Sequence, residues 1–252
     1  MKVEKLTYEG VEKSYPCMHN LSPQFAFWEK FVPQSRQWLR SNLGKHVEGY
    51  HLLRGEDIVG HIYYAPSDKT LANFKTEPKV AIIYCVWLER KYRGKGYGRQ
   101  LFDAFKDEMR AQGYKGILVD TTNFPEFMHH SHFEKQSFKV IKEHGVFKFM
   151  YFPLTKGKVE VSLMKLKYKS TGKKVEVTMF KNFFCPVGVA MYHKIKEVAK
   201  TFGDKVKIVE REATKETLEK YGTHDVLING KLKLMGPASE EEIRKAIQEE
   251  IT

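Results

Sequence analysis

Cysteine is scarce and acid is in deficit. The 252-residue chain holds three cysteines, Cys17, Cys85 and Cys185. They are odd in number and far apart, which argues against a disulfide framework and for a reducing, cytoplasmic setting. No uninterrupted apolar run approaches the ~20 residues of a membrane span, so no membrane partner is expected. The opening stretch MKVEKLTYEGVEKSYP is charged throughout and lacks the apolar centre of a signal peptide. Asp and Glu number 31 against 43 Lys and Arg, a formal charge of +12. A solvated lysine-rich surface is the plainer account of that excess. The sharper one is an anionic partner: nucleic acid, an acidic substrate or a polyphosphate cofactor. No helix-turn-helix, zinc-finger or RNA-binding signature accompanies the charge, so nucleic acid is not the expected partner.

What is present falls into two grammars. In the first, SPQFAFWEKFVPQSRQWLRSNL reads as two short helices interrupted by Pro33. GYHLLRG and DIVGHIYYA read as strands around a GED turn. VAIIYCVWL, residues 80–88, is almost free of polarity and suits a central strand buried on both faces, with Cys85 as a small core residue. GILVDTT is a further strand, and FPEFMHHSHFEKQ a short helix with Asn123 as its cap and Pro125 in its first turn. FKVIKEHG and FKFMYFPL close this part.

After Pro153 the chain turns lysine- and glycine-rich, which reads as a linker or hairpin over residues 155–172. From there the order is strand, helix, strand, helix, an Asn-Gly hairpin and a last helix opened by a Ser-x-x-Glu capping box at Ser239. The expected division is therefore residues 1–154, the linker, and a small α/β domain over 173–252.

Between the apolar strand and a helical pattern stands YRGKGYG, residues 92–98. Leu101, Phe105 and Met109 then recur every four residues beside Phe102, an amphipathic helix ending at Gly113. A helix start carries unpaired N–H groups and partial positive charge. Glycines before it allow φ > 0 and close approach of a ligand. The result is an anion seat, strengthened by Arg93, Lys95 and Arg99. The Walker Gly-Lys-Ser/Thr pattern is absent. The dinucleotide spacing is not met either, because Gly94, Gly96 and Gly98 alternate.

The spacing present, Arg-x-x-Gly-x-Gly at Arg93 to Gly98 after a buried strand, resembles the GNAT acetyltransferase superfamily over about 150 residues. The resemblance implies an α/β fold with a mixed central sheet flanked by helices. It implies acetyl-CoA as co-substrate, its pyrophosphate on Arg93, Gly94, Lys95, Gly96, Tyr97 and Gly98. Its pantetheine arm would pair with the backbone of Val86, Trp87 and Leu88. FEKQSF, residues 133–138, is similar to the Tyr-Glu-Lys-x-Gly-Phe stretch of the family. Phe133 stands where a tyrosine often protonates the leaving thiolate, and the apolar strand carries no carboxylate to act as base. Ser131, His130 and His132 are the remaining candidates, and no metal site is expected from the neighbouring histidines.

FFCPVG sits between a strand and a helix and resembles a thioredoxin-like fold at its Cys-x-x-Cys position. A helix start lowers a thiol's pKa, so Cys185 is a candidate reactive thiol. Gly188 replaces the second cysteine, and His224 stands where a cis-proline precedes the third strand. The pairing of the two domains is similar to YoaP-type acetyltransferases. The reading is an N-acetyltransferase acting by direct attack on a small-molecule or peptide amine. The alternatives are a redox protein using Cys185, with the GNAT domain as an acyl-CoA sensor, and a non-catalytic CoA-binding regulator.

Overall fold

The computed structural model describes residues 1–19, 21, 26–124, 127–170, 172–234 and 236–251. In chain order its elements are β1 (Lys2–Lys5), α1 (Val32–Asn42), β2 (Glu48–Arg54), β3 (Asp57–Pro66), β4 (Phe74–Thr76), β5 (Val80–Leu88), α2 (Tyr97–Ala111), β6 (Gly116–Thr122), α3 (His130–Glu134), β7 (Lys139–His144), β8 (Phe147–Pro153) and β9 (Val161–Leu163). There follow β10 (Val175–Lys181), α4 (Pro186–Lys200), β11 (Val206–Glu212), α5 (Lys215–Tyr221), β12 (Leu227–Ile228), β13 (Lys231–Leu232) and α6 (Glu240–Gln248). No helix among the described residues is long and apolar enough to cross a membrane.

Packing divides the chain into two compact units. Met1–Cys17, Asn42–Thr70 and Lys75–Ser162 form the first; Met18–Ser41, Leu71–Phe74 and Leu163–Thr252 form the second. These bounds differ from the expected 1–154, 155–172 and 173–252. The reason is aromatic packing in the second unit. Phe31 stacks on His193 of α4 at 5.4 Å, and Trp38 of α1 meets Phe184 edge-on at 5.9 Å. The expected linker is also partly structural: the Tyr168 hydroxyl donates to Glu176 of β10 at 2.5 Å. The two short helices are present, a 3₁₀ helix at Ala26–Phe31 and α1, whose second residue is Pro33.

The first unit is built on a seven-stranded sheet in the order β1-β2-β3-β5-β6-β8-β7. Only β5 and β6 run parallel; every other pairing is antiparallel. This is the expected mixed sheet. Helix α2 covers one face, burying Leu101, Phe102, Phe105 and Met109 against Tyr50, Leu52, Ile62, Ile117 and Val119. Lys106 lies on the same helix. It is buried, its Nζ donates to the Gln136 carbonyl at 3.0 Å, and burial lowers its pKa.

β5 is buried only over its first four residues; the last five are half-buried, not enclosed on both faces as expected. The register between β3 and β5 slips at Tyr63/Tyr64, leaving Tyr84 as an extra residue. Ile83, Val86 and Leu88 pack with α2. Cys85 and Trp87 meet His61 instead, Cys85 through its sulfur and Trp87 by ring stacking. His61 also stacks on Tyr63 at 4.3 Å, and the Tyr63 hydroxyl lies 3.0 Å from His51 Nε2. Burial pushes His51 down to about 4, and it pushes His61 well below the usual histidine range, with His51 adding to the effect.

In the second unit a four-stranded sheet runs β11-β10-β12-β13, with β10 and β11 parallel and the rest antiparallel. Helices α4 and α6 bury Tyr192, Ile195, Val198, Ile243 and Ile247 with Val177 and Met179 of β10. The expected order of elements over residues 173–252 is present, and Ser239 and Glu242 form the capping box. Asn229 and Gly230, at φ 51° and 74°, make the hairpin turn.

Two helices end on left-handed glycines with different surroundings. Gly113 (φ 74°) has open space where a Cβ would stand; at Gly222 (φ 84°) a Cβ would overlap the Lys165 carbonyl. Gly113→Ala should cost about 1 kcal/mol for its backbone angle. Gly222→Ala should cost about 3 kcal/mol, because backbone must also move. Urea unfolding of both variants checks the order. A second expectation concerns acid. Between pH 6.5 and about 4 an unfolded chain holds a proton on residue 51 that the folded protein does not. Stability is therefore full above pH 6.5 and lost as pH falls toward 4, by on the order of 3 kcal/mol from this group. His51→Gln should flatten the loss measured by urea unfolding at pH 7 and pH 4.5.

Candidate active site

The site starts where β5 leaves β6. The two strands pair only from Val80↔Gly116 to Ile83↔Val119. Beyond that β5 stays with β3 as far as Leu88, while β6 stays with β8 as far as Thr122. The strands therefore splay, and residues 84–88 turn an unladdered edge toward the opening. A strand edge offers N–H and C=O groups that must find partners. One is satisfied by a side chain: the Val86 N–H donates to Met128 Sδ at 3.2 Å. Met128 itself has φ 50° and its carbonyl accepts from the Thr122 N–H, so the loop before α3 is tied to both strands.

At the mouth of this opening the chain makes one turn of 3₁₀ helix, Arg90–Tyr92, and then enters the glycine turn. Gly94 and Gly96 have φ 75° and 83°, and a Cβ on either would meet nothing. Their backbone angle, not crowding, calls for glycine. Gly96 is the N-cap of α2 and supplies no side-chain cap. The first helical bond runs from Gln100 N–H to the Gly96 carbonyl at 3.0 Å, so the preceding N–H groups of Tyr97, Gly98 and Arg99 are free of the helix's own ladder. Gly98 would bring a Cβ only into ordinary contact with Leu88, at 3.6 Å. Arg93 Nε donates to the Leu88 carbonyl at 3.0 Å, which clamps the turn to the end of β5. Lys95 and Arg99 are exposed. These residues suit a diphosphate: uncapped N–H groups, no side chains in front of them, and cations around.

The histidine-rich loop is arranged differently from the expectation. α3 begins at His130 and its cap is His129, not Asn123; Pro125 lies outside the described residues. The imidazole wins because its Nδ1 accepts from the Ser131 N–H and reaches the Ser131 hydroxyl at 2.9 Å. His130 Nδ1 is 3.1 Å from Glu134. Burial lowers the His132 pKa, helped by Arg93, Lys135 and His129. Ser131 and His130 are thus engaged locally, and His132 is held neutral. Phe133 is 1% exposed and packs edge-on to Phe102 and Phe138, so its ring is part of the core. Among the described residues no group of three His, Cys, Asp or Glu side chains could hold a metal ion.

Sequence reasoning missed Met128 and His61. A lone histidine inside DIVGHIYYA was the available signal for His61. Nothing in the sequence pointed to Met128, because its contact with Val86 depends on where a loop returns. Cys85 is half-buried, not a core residue, because the extra residue in β5 turns it toward His61 Nε2, 3.5 Å from its sulfur.

In the second unit Cys185 is the N-cap of α4. Desolvation pushes its thiol up, against the pull of the Val187 and Gly188 N–H groups. A Cβ on Gly188 would come no closer than 3.9 Å to any atom beyond its chain neighbours and its own helix. His224 Nε2 lies 3.1 Å from both the Thr214 carbonyl and the Thr217 hydroxyl, at the cap of α5.

Residues 12–134 match the Acetyltransferase (GNAT) family. Over 234 residues, 90% of each chain, the protein is 20% identical to the uncharacterised N-acetyltransferase YoaP of Bacillus subtilis (strain 168). It resembles the crystal structure of the ribosomal-protein-S18-alanine N-acetyltransferase from Escherichia coli, with a TM-score of 0.43 and 13% identity over 62% of this chain and 96% of that one. It also resembles the PaiA N-acetyltransferase from Thermoplasma acidophilum, solved in complex with coenzyme A, with a TM-score of 0.41 and 19% identity over 61% and 99%. Residues 12–134, the stretch that matches the GNAT acetyltransferase family, contain both the splayed strand and the glycine turn, and the chain is an acyltransferase.

Proposed function

We propose that the chain moves an acetyl group from acetyl-CoA to the amine of a small-molecule or peptide acceptor. The observation that carries this reading is one juxtaposition. The free edge of β5 leads straight into a helix start with two left-handed glycines and no side-chain cap. Residues 93–98 receive the pyrophosphate: the first-turn N–H groups of α2 donate to it, and Lys95 and Arg99 balance its charge. The backbone of Val86, Trp87 and Leu88 receives the pantetheine arm along the open edge. Met128 yields the Val86 N–H when the arm enters.

A neutral amine attacks the thioester carbonyl directly, and backbone N–H groups at the edge stabilise the oxyanion. Phe133 gives no proton. Ser131 and His130 are committed to their neighbours, and His132 is neutral. A free thiol has a pKa of about 8.5, so the CoA thiolate leaves without an essential acid. A substituent on Gly96 meets no protein atom but is strained at φ 83°, so Gly96→Asp is read against Gly96→Asn, which carries the same strain without the charge. Titration calorimetry with acetyl-CoA should show at least a tenfold loss for this variant, about 1.4 kcal/mol. Unchanged affinity in the folded variant sinks the assignment. An amine panel monitored by CoA release then identifies the acceptor.

We read residues 173–252 as a thioredoxin-like domain in a reducing, cytoplasmic protein. A parallel β10–β11 pair, an antiparallel β12–β13 hairpin and α4 capped by Cys185 support this. It serves as structure, not as a disulfide exchanger. Cys185 lacks a partner at Gly188, its pKa is raised, and His224 is occupied with the α5 cap. Insulin reduction with dithiothreitol should run at the background rate; turnover that Cys185→Ser abolishes would restore the redox alternative.

A further inference from the structure

We propose that Cys85 is a second acyl acceptor: with no amine present, the acetyl group passes from acetyl-CoA to the Cys85 sulfur with His61 as proton carrier. The inference rests on the cofactor reading above and adds to it a thiol within reach of the thioester.

Placement comes first. If residues 93–98 hold the pyrophosphate, the arm runs back along β5 from Leu88. The β5–β6 ladder closes at Ile83↔Val119, so the opening ends there. The arm's reactive end must stop beside Cys85, three residues and about 10 Å of extended chain from Leu88. At that place β5 carries its extra residue, and the Cys85 side chain turns away from the α2 core toward His61. The thiol is half-buried beside the imidazole.

The imidazole is the independent observation. His61 is fully buried, yet its Nδ1 has no partner among the described residues. A buried polar atom left unpaired costs about 1–3 kcal/mol, which a histidine serving only as filler would not repay. Tyr63 and Trp87 stack on the ring, so its plane is held and Nε2 stays on the sulfur, 3.5 Å away. Burial keeps the ring neutral at neutral pH, the form that can take a proton.

The step balances without an outside reagent. The Cys85 S–H bond breaks and its proton goes to His61 Nε2. The sulfur bonds to the acetyl carbon, and the bond from that carbon to the CoA sulfur breaks with its electron pair on CoA. His61 returns the proton to the CoA thiolate, since a buried imidazolium is unfavourable. One thioester replaces another, with nothing oxidised or reduced. The adjacent Val86 N–H lies on the edge where the carbonyl oxygen gathers charge.

The test uses the full, freshly reduced chain with isotopically labelled acetyl-CoA in amine-free buffer, quenched in acid and read by intact mass and peptide mapping. One acetyl group per chain should appear on the Cys85 peptide, be released by neutral hydroxylamine, and be absent when the chain is unfolded in urea. Cys85→Ala should lose it, and His61→Gln should form it at least tenfold more slowly. Circular dichroism confirms that each variant is folded, and Cys85→Ala alone decides if His61→Gln is not. Calorimetry on the same sample separates the two readings. Binding of acetyl-CoA with no label on Cys85, or a thioester on Cys17 or Cys185 instead, overturns the proposal and leaves the cofactor assignment standing. Absence of binding overturns both.

Discussion

Beyond Ile83, β5 keeps one neighbour and gives up the other, and the whole site depends on this. A central strand normally satisfies both its edges. Here β3 continues to pair through an extra residue while β6 turns away with β8. The resulting edge cannot be left dry and unpaired. It is a place where either a side chain, as Met128 does now, or an extended substrate must supply hydrogen bonds. The half-buried character of residues 84–88 follows from the same parting.

The extra residue in β5 has a second consequence, since it sorts the side chains. Ile83, Val86 and Leu88 go to the α2 side and make core. Cys85 and Trp87 go to a layer of His61, Tyr63 and His51, where burial holds both imidazoles neutral. That layer holds a thiol and two neutral imidazoles. On the opposite face, Phe133 is taken into the core between Phe102 and Phe138.

The glycine turn is local in a way the rest is not. Gly94 and Gly96 turn left-handed, α2 begins without a cap, and Arg93 ties the turn back to Leu88 within five residues of chain. By contrast, residues 18–41 pack with the C-terminal residues because Phe31, Gln34 and Trp38 find His193 and Phe184. No feature near Phe31 in sequence announces that partner.

What the sequence determined by itself was whatever short-range physics controls. Glycine spacing before an amphipathic helix marks a left-handed turn into an uncapped helix start, because φ > 0 and free N–H groups are local properties. Asn229-Gly230 makes its turn and Ser239 caps its helix for the same reason. The order of strands and helices was also legible, since hydrophobic period marks each one. Only the tertiary structure decided the rest. Whether VAIIYCVWL is enclosed depends on how far β6 accompanies it, and the strand's own residues cannot show that. A one-residue slip against β3 set Cys85 half-buried beside His61 instead of in the core. His129 displaced Asn123 as a cap once the loop had placed it beside Ser131. Lys106 became a buried donor because the Gln136 carbonyl comes from another turn of the chain. These are long-range encounters, and their outcome is settled by packing rather than by pattern.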